Sequence, residues 1–219
     1  MDKNKQGIEL LQAGNMEKAI QLFTEVIEEN PKDPIGYVNF ANVLISVGEI
    51  ERAESFLNKA IELDDQVAAS YYSYGNFYFN QEKYEQAAGM FEKALTNGMD
   101  SNDVYYMLGM CFSYLGKYPL SLPYLQRSVE LNEEDIEARF QYGLSLAQSA
   151  SYKEAIAQLE KVIEADPHHA DAFYNVAVAY AMTGADRDQV LSLLDQAITI
   201  QPDHLLAVNA KKTVMENQE

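Results

Sequence analysis

Apolar residues recur along the chain at helical spacing in two blocks within each 34-residue period, and a turn residue divides the blocks at Gly14, Gly48, Glu82, Gly116, Ala150 and Gly184. Each block predicts one helix. At ~1.5 Å per residue, about 12 to 14 residues make a helix of about 18 to 21 Å, so each period predicts an antiparallel helical hairpin. A small residue marks the middle of each first block at Gly7, Ala41, Gly75, Gly109, Gly143 and Ala177, in one register throughout. A second series, Ala19, Ala53, Ala87, Ser121 and Ala155, keeps the same step and then slips by one near Val190, which places an insertion around Ala185. Periodicity of this length is the signature of a solenoid whose units bury their apolar faces by stacking on neighbours.

Local exceptions refine this reading. The first unit carries Lys3 and Gln6 where large apolar residues would otherwise pack, as suits a unit with no neighbour before it. Asn97 and Gly98 read as a left-handed helix stop. In the fourth unit Pro119 suits a first helical turn, whereas Pro123 would remove a backbone hydrogen bond from a helix already begun, so a late start or a kink is expected there. After Pro202, Asp203 is expected to cap a last helix over about 205–216, with Leu205, Leu206 and Val208 facing the sixth unit and Lys211 and Lys212 facing water. Asn217, Gln218 and Glu219 are expected to be disordered.

Counting Pro34 to Val67 as one unit, the fourth place holds Tyr37, Tyr71, Tyr105, Arg139 and Phe173, and small residues fill the eighth and twentieth places. Large apolar residues fill the eleventh (Leu10, Leu44, Tyr78, Phe112, Leu146, Tyr180) and the twenty-fourth (Phe23, Leu57, Phe91, Leu125, Leu159, Leu194). A closing proline stands at Pro31, Pro167 and Pro202 and is replaced by Asp65, Met99 and Glu133. Over almost its whole length the chain resembles the tetratricopeptide repeat family. The resemblance implies an all-α, right-handed superhelical solenoid in a single domain, with units at about 1–33, 34–67, 68–101, 102–135, 136–169 and 170–204 and a capping helix at about 205–216.

The resemblance also implies a concave groove lined from the second, fifth, sixth, ninth and twelfth places. Here the fifth place holds Val38, Tyr72, Tyr106, Phe140 and Tyr174, an aromatic ladder of the half-wet kind that suits binding surfaces. Asn39, Asn42, Asn76, Gln141 and Asn175 add amides that can both donate to and accept from a peptide main chain. Phe79, Met107, Met110, Leu144 and Val178 complete an adaptable apolar lining. The competing reading is that the ladder is ordinary packing between helices. At the second place Asp103, Glu137 and Asp171 make one groove edge acidic, which points to a ligand with apolar anchors and a basic end, or else to acids placed to favour the helix dipole. In the family it resembles, members that hold a C-terminal carboxylate use Lys and Arg at the second, fifth and sixth places; none is basic here, so the resemblance does not imply an acidic tail as ligand.

Composition then narrows the partners. The chain carries 16 basic against 34 acidic residues, a net charge of −18, which repels bare phosphate backbones and either keeps an extended apolar solenoid soluble or attracts basic partners. No apolar run approaches the ~18 residues of a membrane span, and no cleavable leader opens the chain, so a cytoplasmic place is expected. The lone Cys111, at a packing position, reads as an inert buried thiol. His168, His169 and His204 fall at turns beside Asp171, where a metal site is conceivable, but none is expected, nor any cofactor or enzymatic chemistry. The expected function is a monomeric protein-interaction scaffold that binds a peptide or helix of a protein partner. The alternatives are a self-associating adaptor that works through its convex face and last helix, and a regulatory subunit of a cytoplasmic enzyme.

Overall fold

A computed structural model describes residues 3–216, and its helices follow the sequence pattern closely. They are α1 (Lys3–Gln12), α2 (Met16–Glu29), α3 (Pro34–Ser46), α4 (Ile50–Leu63), α5 (Ala68–Phe79), α6 (Tyr84–Thr96), α7 (Asn102–Tyr114), α8 (Tyr118–Leu131), α9 (Ile136–Gln148), α10 (Tyr152–Ala165), α11 (Ala170–Met182), α12 (Arg187–Ile200) and α13 (Leu205–Glu216). No strand occurs among the described residues. Contacts divide the chain into two compact units, residues 1–100 with α1 to α6 and residues 101–219 with α7 to α13. In each unit the helices pair as hairpins, the second helix of a hairpin packs on the first helix of the next, and successive first helices touch. The expectation for Asn217, Gln218 and Glu219 lies outside the described residues.

Every hairpin turn is built in one way. The residues at 14, 48, 82, 116, 150 and 184 all take a positive φ, and the following residue donates its N–H five residues back, as Asn15 does to the Leu10 carbonyl (2.8 Å) and Lys83 to Tyr78 (3.0 Å). This is the left-handed stop that satisfies the last carbonyls of a helix. In the sixth hairpin Ala185 makes that bond, and one further residue, Asp186, caps α12 by accepting from the Asp188 N–H; this is the insertion that shifts the register. Gly98 ends α6 by the same device, as the Asn97 and Gly98 pair predicts.

The eighth place sets how closely the two helices of a hairpin approach. A Cβ built on Gly7 or Gly75 would fall 2.5 Å from the ring of Phe23 or Phe91, and one on Gly109 or Gly143 would fall 2.5 or 2.7 Å from Cγ of Leu125 or Leu159. Those four partners at the twenty-fourth place are fully buried, each contributing about 1.5 to 3 kcal/mol by leaving water. The third place, which the sequence pattern did not single out, is also closed: Gly36, Ser70, Val104, Ala138, Ala172 and, in α13, Ala207 are all buried. Arg139 departs from the aromatic of the fourth place without loss. Its Nη2 donates to the Glu133 carbonyl (2.8 Å), six residues back, as the Tyr37 hydroxyl donates to Pro31 (3.1 Å). At the start of the chain the Lys3 ammonium bridges Glu25 (2.9 Å) and Glu29 (2.7 Å), so α1 is held to α2 at its polar margin.

Of the two outcomes expected at Pro123, the late start does not occur, because α8 begins at Tyr118 and is helical through Pro123 to Leu131. The expected face of the last helix is corrected. The buried side of α13 is Ala207 with Ala210 and Val214, while Leu205, Leu206 and Val208 are exposed. Lys211 is half-buried and pairs with Asp195 on α12 instead of facing water. The register follows from the cap: His204, rather than Asp203, precedes the helix and accepts from the Ala207 N–H (3.1 Å), which turns the small third-place residue inward.

Candidate functional site

Within the second unit the first helices α7, α9 and α11, with the start of α8 and of α13, enclose a concavity of about 550 Å³. It is lined by Ser113, Tyr118, Phe140, Gln141, Leu144, Ser145, Gln148, Asp171, Tyr174, Asn175, Val178 and Leu206. Seven of these were predicted as groove or groove-edge residues. Their meeting has a helical cause: fifth, sixth and ninth places share one face of a first helix, and the contact of α7 with α9 and of α9 with α11 brings those faces together. Asp171 is the one charged side chain of the lining.

Sequence reasoning missed Leu206, because α13 was read in the wrong register. With the one-residue insertion, Leu206 occupies the second place of a seventh first helix, equivalent to Asp171. Tyr118, Ser145 and Gln148 carried no signal in the pattern; Ser113, at the twelfth place, did. The hydroxyls of Ser113 and Ser145 lie 3.1 Å apart and link α7 to α9 at the floor of the concavity.

In the first unit a smaller concavity of about 370 Å³ lies among α1, α2 and α3, and Asn39 and Asn42 are its predicted members, beside Ile8, Leu11 and Val43. The structure does not bring the remaining predicted residues into either concavity. Tyr72 is half-buried with its ring 5.6 Å from Phe91, Phe79 packs edge-on against Tyr84 (5.4 Å), and Asn76 is half-buried on α5. Val38 and Met110 are 4% and 8% exposed and serve packing, which corrects their assignment to an open lining. Phe140 lines the concavity with only 8% of its surface exposed. Tyr106 and Met107 are half-buried on α7; burial, and then the negative charges of Glu137 and Asp135, push the Tyr106 hydroxyl pKa well up. The edge carboxylates of Asp103, Glu137 and Asp171 are exposed.

The amides are partly committed within the chain. Asn39 donates to Asn4 (3.1 Å), Gln141 to Glu137 (2.8 Å), and Asn175 to the Asp171 carbonyl (2.8 Å). Asn42 reaches Ser73 at 3.5 Å. These bonds hold the amide side chains in fixed orientations.

Two of the three histidines are caps. His169 Nδ1 accepts from the Ala172 N–H (3.2 Å) at the start of α11, where Asp135 does the same for Ala138 at the start of α9 (2.9 Å). His204 repeats the arrangement at α13, and its Nε2 lies 3.0 Å from Asp171 Oδ1. Each ring also packs on the ladder residue of the hairpin before it, His169 on Phe140 (4.5 Å) and His204 on Tyr174 (5.2 Å). His168 stands apart, exposed at the turn. Among the described residues no group of three or more His, Cys, Asp or Glu could hold a metal ion. Cys111 is buried on α7, and burial pushes its thiol up to about 12, so the reactive thiolate is strongly disfavoured. No helix among the described residues is long and apolar enough to cross a membrane.

Comparison with known proteins follows the same lines. Two tetratricopeptide repeat models match residues 10–73 and 143–204, and a model of anaphase-promoting complex, cyclosome, subunit 3 matches residues 80–162. The TPR repeat-containing protein YrrB of Bacillus subtilis (strain 168) is 56% identical over 36 residues, which span 16% of this chain and 18% of that protein. A crystal structure of YrrB, described as a TPR protein with an unusual peptide-binding site, is 54% identical with a TM-score of 0.82; the match covers 87% of this chain and 97% of that one. Pseudomonas aeruginosa pilF, 21% identical with a TM-score of 0.80 over 96% of each chain, shares the fold. So does MamA, 20% identical with a TM-score of 0.73 over 80% of this chain and 95% of that one.

Proposed function

The chain belongs to the tetratricopeptide repeat family, and from that premise we propose that it is a protein-interaction scaffold that binds a peptide or helical segment of a partner protein in a concave face. The observation that carries this reading is the concavity of about 550 Å³ in the second unit, which gathers Tyr174, Val178, Leu144 and Leu206 around a few fixed polar groups. A hollow that sets apolar and aromatic surface beside oriented donors and acceptors is what a peptide site requires. That the similar YrrB is described as having a peptide-binding site supports the same reading. The mechanism is binding without chemistry: apolar side chains of the ligand leave water against the lining, and Gln141 and Asn175 meet its main chain. With a net charge of −18 on the chain and no basic residue in the lining, the favoured ligand has apolar anchors and a basic part. The protein acts in the cytoplasm in this reading.

The test is selection of a phage-displayed library of random dodecapeptides on the immobilised full chain, in parallel with a Val178→Asp variant. Val178 is exposed, so a carboxylate there leaves the fold intact while it spoils the hollow. Sequence-specific enrichment on the wild type that disappears on the variant is the expected result. Enrichment that is equal on both would move the site elsewhere.

A second reading has one observation in its favour. Leu205 and Leu206 are 73% and 59% exposed and, with Val208 and Met215, put apolar side chains on the outside of α13, as a self-associating surface would. Light scattering that shows a monomer at all concentrations would remove it.

A further inference from the structure

We infer that Asp171, held in place by His204, is the receptor for a single cationic side chain of the bound segment, next to an apolar anchor seated on Tyr174, Val178 and Leu206. This inference rests on the peptide-binding reading above and assigns the polarity of its ligand at one subsite.

Four observations converge there. Asp171 is the only charged group among the residues lining the large concavity, and it also lines a second, smaller hollow with Leu206 and His204, so its carboxylate stands on the shared rim of the two. Its side chain is 60% exposed, which leaves it reachable. The carboxylate is nonetheless oriented, because Oδ1 is 3.0 Å from Nε2 of a histidine only 5% exposed. The histidine in turn is fixed by its own hydrogen bonding. Its Nδ1 accepts from the Ala207 N–H at the start of α13, so that nitrogen carries no proton, and the ring proton sits on Nε2 and is donated to Asp171. A neutral imidazole thus positions the carboxylate without cancelling its charge. The aromatic and apolar surfaces of Tyr174, Val178 and Leu206 adjoin it. A lysine or arginine side chain, whose stem is apolar and whose tip is charged, fits such a corner.

Asp103 and Glu137 are different. Both are exposed second-place acids, but neither lines the concavity, and Glu137 accepts from the neighbouring Gln141 on its own helix. Asp171 alone of the three combines a place in the lining with a buried partner outside its own helix.

The experiment extends the dodecapeptide selection to an Asp171→Asn variant of the full chain. The Asn oxygen still accepts from His204, so the cap and fold are kept while the charge is removed. Wild-type winners are expected to carry Lys or Arg at a fixed spacing from an apolar residue, and Asp171→Asn winners to keep the apolar residue and lose the basic one. A winning peptide and its norleucine counterpart are then compared by fluorescence anisotropy. The wild type is expected to prefer the lysine peptide by ~5-fold, the upper range for a solvent-reachable ion pair, and Asp171→Asn to show no preference. His204 is a positioning residue, so His204→Asn, which retains a capping side chain too short to reach Asp171, is expected to lower that ratio with both peptides still bound. Winners without a basic residue, or a ratio unchanged in Asp171→Asn, overturn the assignment while the peptide site stands. Failure to enrich any peptide on the wild type removes the site and the assignment together. An unchanged ratio in His204→Asn overturns the positioning role.

Discussion

At the eighth place of a hairpin one hydrogen or one methyl group decides the distance between two helices. Ala41 and Ala177 stand there opposite Leu57 and Leu194, each pair sharing one core cluster, whereas Gly75 stands opposite the fully buried ring of Phe91. A leucine side chain can shift as a whole to admit a Cβ, as the alanine-bearing hairpins accommodate one. A buried phenylalanine ring 2.5 Å from the new atom has nowhere to turn. Alanine gains ~1 kcal/mol over glycine inside a helix, but overpacking costs ~1 to 3 kcal/mol. Gly143→Ala is therefore expected to leave stability within about 1 kcal/mol of wild type, and Gly75→Ala to destabilise the chain by ~1 to 2 kcal/mol. Urea unfolding of the two variants side by side checks the order; equal midpoints would mean that Phe91 yields as easily as Leu159.

The element scale is governed by the turn that closes each hairpin. Glycine fills four of the six left-handed positions, while Glu82 (φ 59) and Ala150 (φ 60) hold the same backbone with a side chain. A non-glycine residue in this region costs roughly 1 kcal/mol or more, partly offset because glycine loses more freedom on folding. Ala150→Gly is expected to raise stability by ~0.5 to 1 kcal/mol, read as a higher urea midpoint at unchanged slope. A lowered midpoint would show that the Ala150 methyl makes a contact worth more than the strain. Helices and turns of this kind were legible in the sequence because each rests on a local rule repeated at a fixed step: apolar spacing, a left-handed stop, a small residue at the crossing. The last helix was misread for the same reason. Leu205, Leu206 and Val208 looked like a core face by composition, but the core side is set by the His204 cap and the small Ala207, and a histidine in the capping place gives no strong signal in a single sequence.

For the whole chain, the candidate site was legible in its helix faces and illegible in its limits. The resemblance named fifth, sixth and ninth places in every unit alike, whereas the structure gathers such residues into one larger hollow in residues 101–219 and closes Val38 and Met110 off in packing. Which rungs stay open depends on how deeply each first helix sinks between its neighbours, and that is a matter of packing that no spacing rule contains. The larger hollow draws its lining from α7, α8, α9, α11 and α13, all within the second compact unit, and that unit has its own buried clusters around Leu159 and Val176 and around Val190 and Leu194. Solenoid stability is close to a sum of unit and nearest-neighbour terms, so a run of three hairpins with a terminal helix carries most of what it needs. A fragment of residues 101–219 is therefore expected to be helical by far-UV circular dichroism and to unfold cooperatively. It is expected to bind the peptides selected on the full chain within ~3-fold of the full-chain affinity, a difference of under 1 kcal/mol. A helical fragment that had lost those peptides would place essential contacts in residues 1–100, and the ladder residue Tyr72 with the lining residue Phe79 would then be the first to replace with alanine in the full chain.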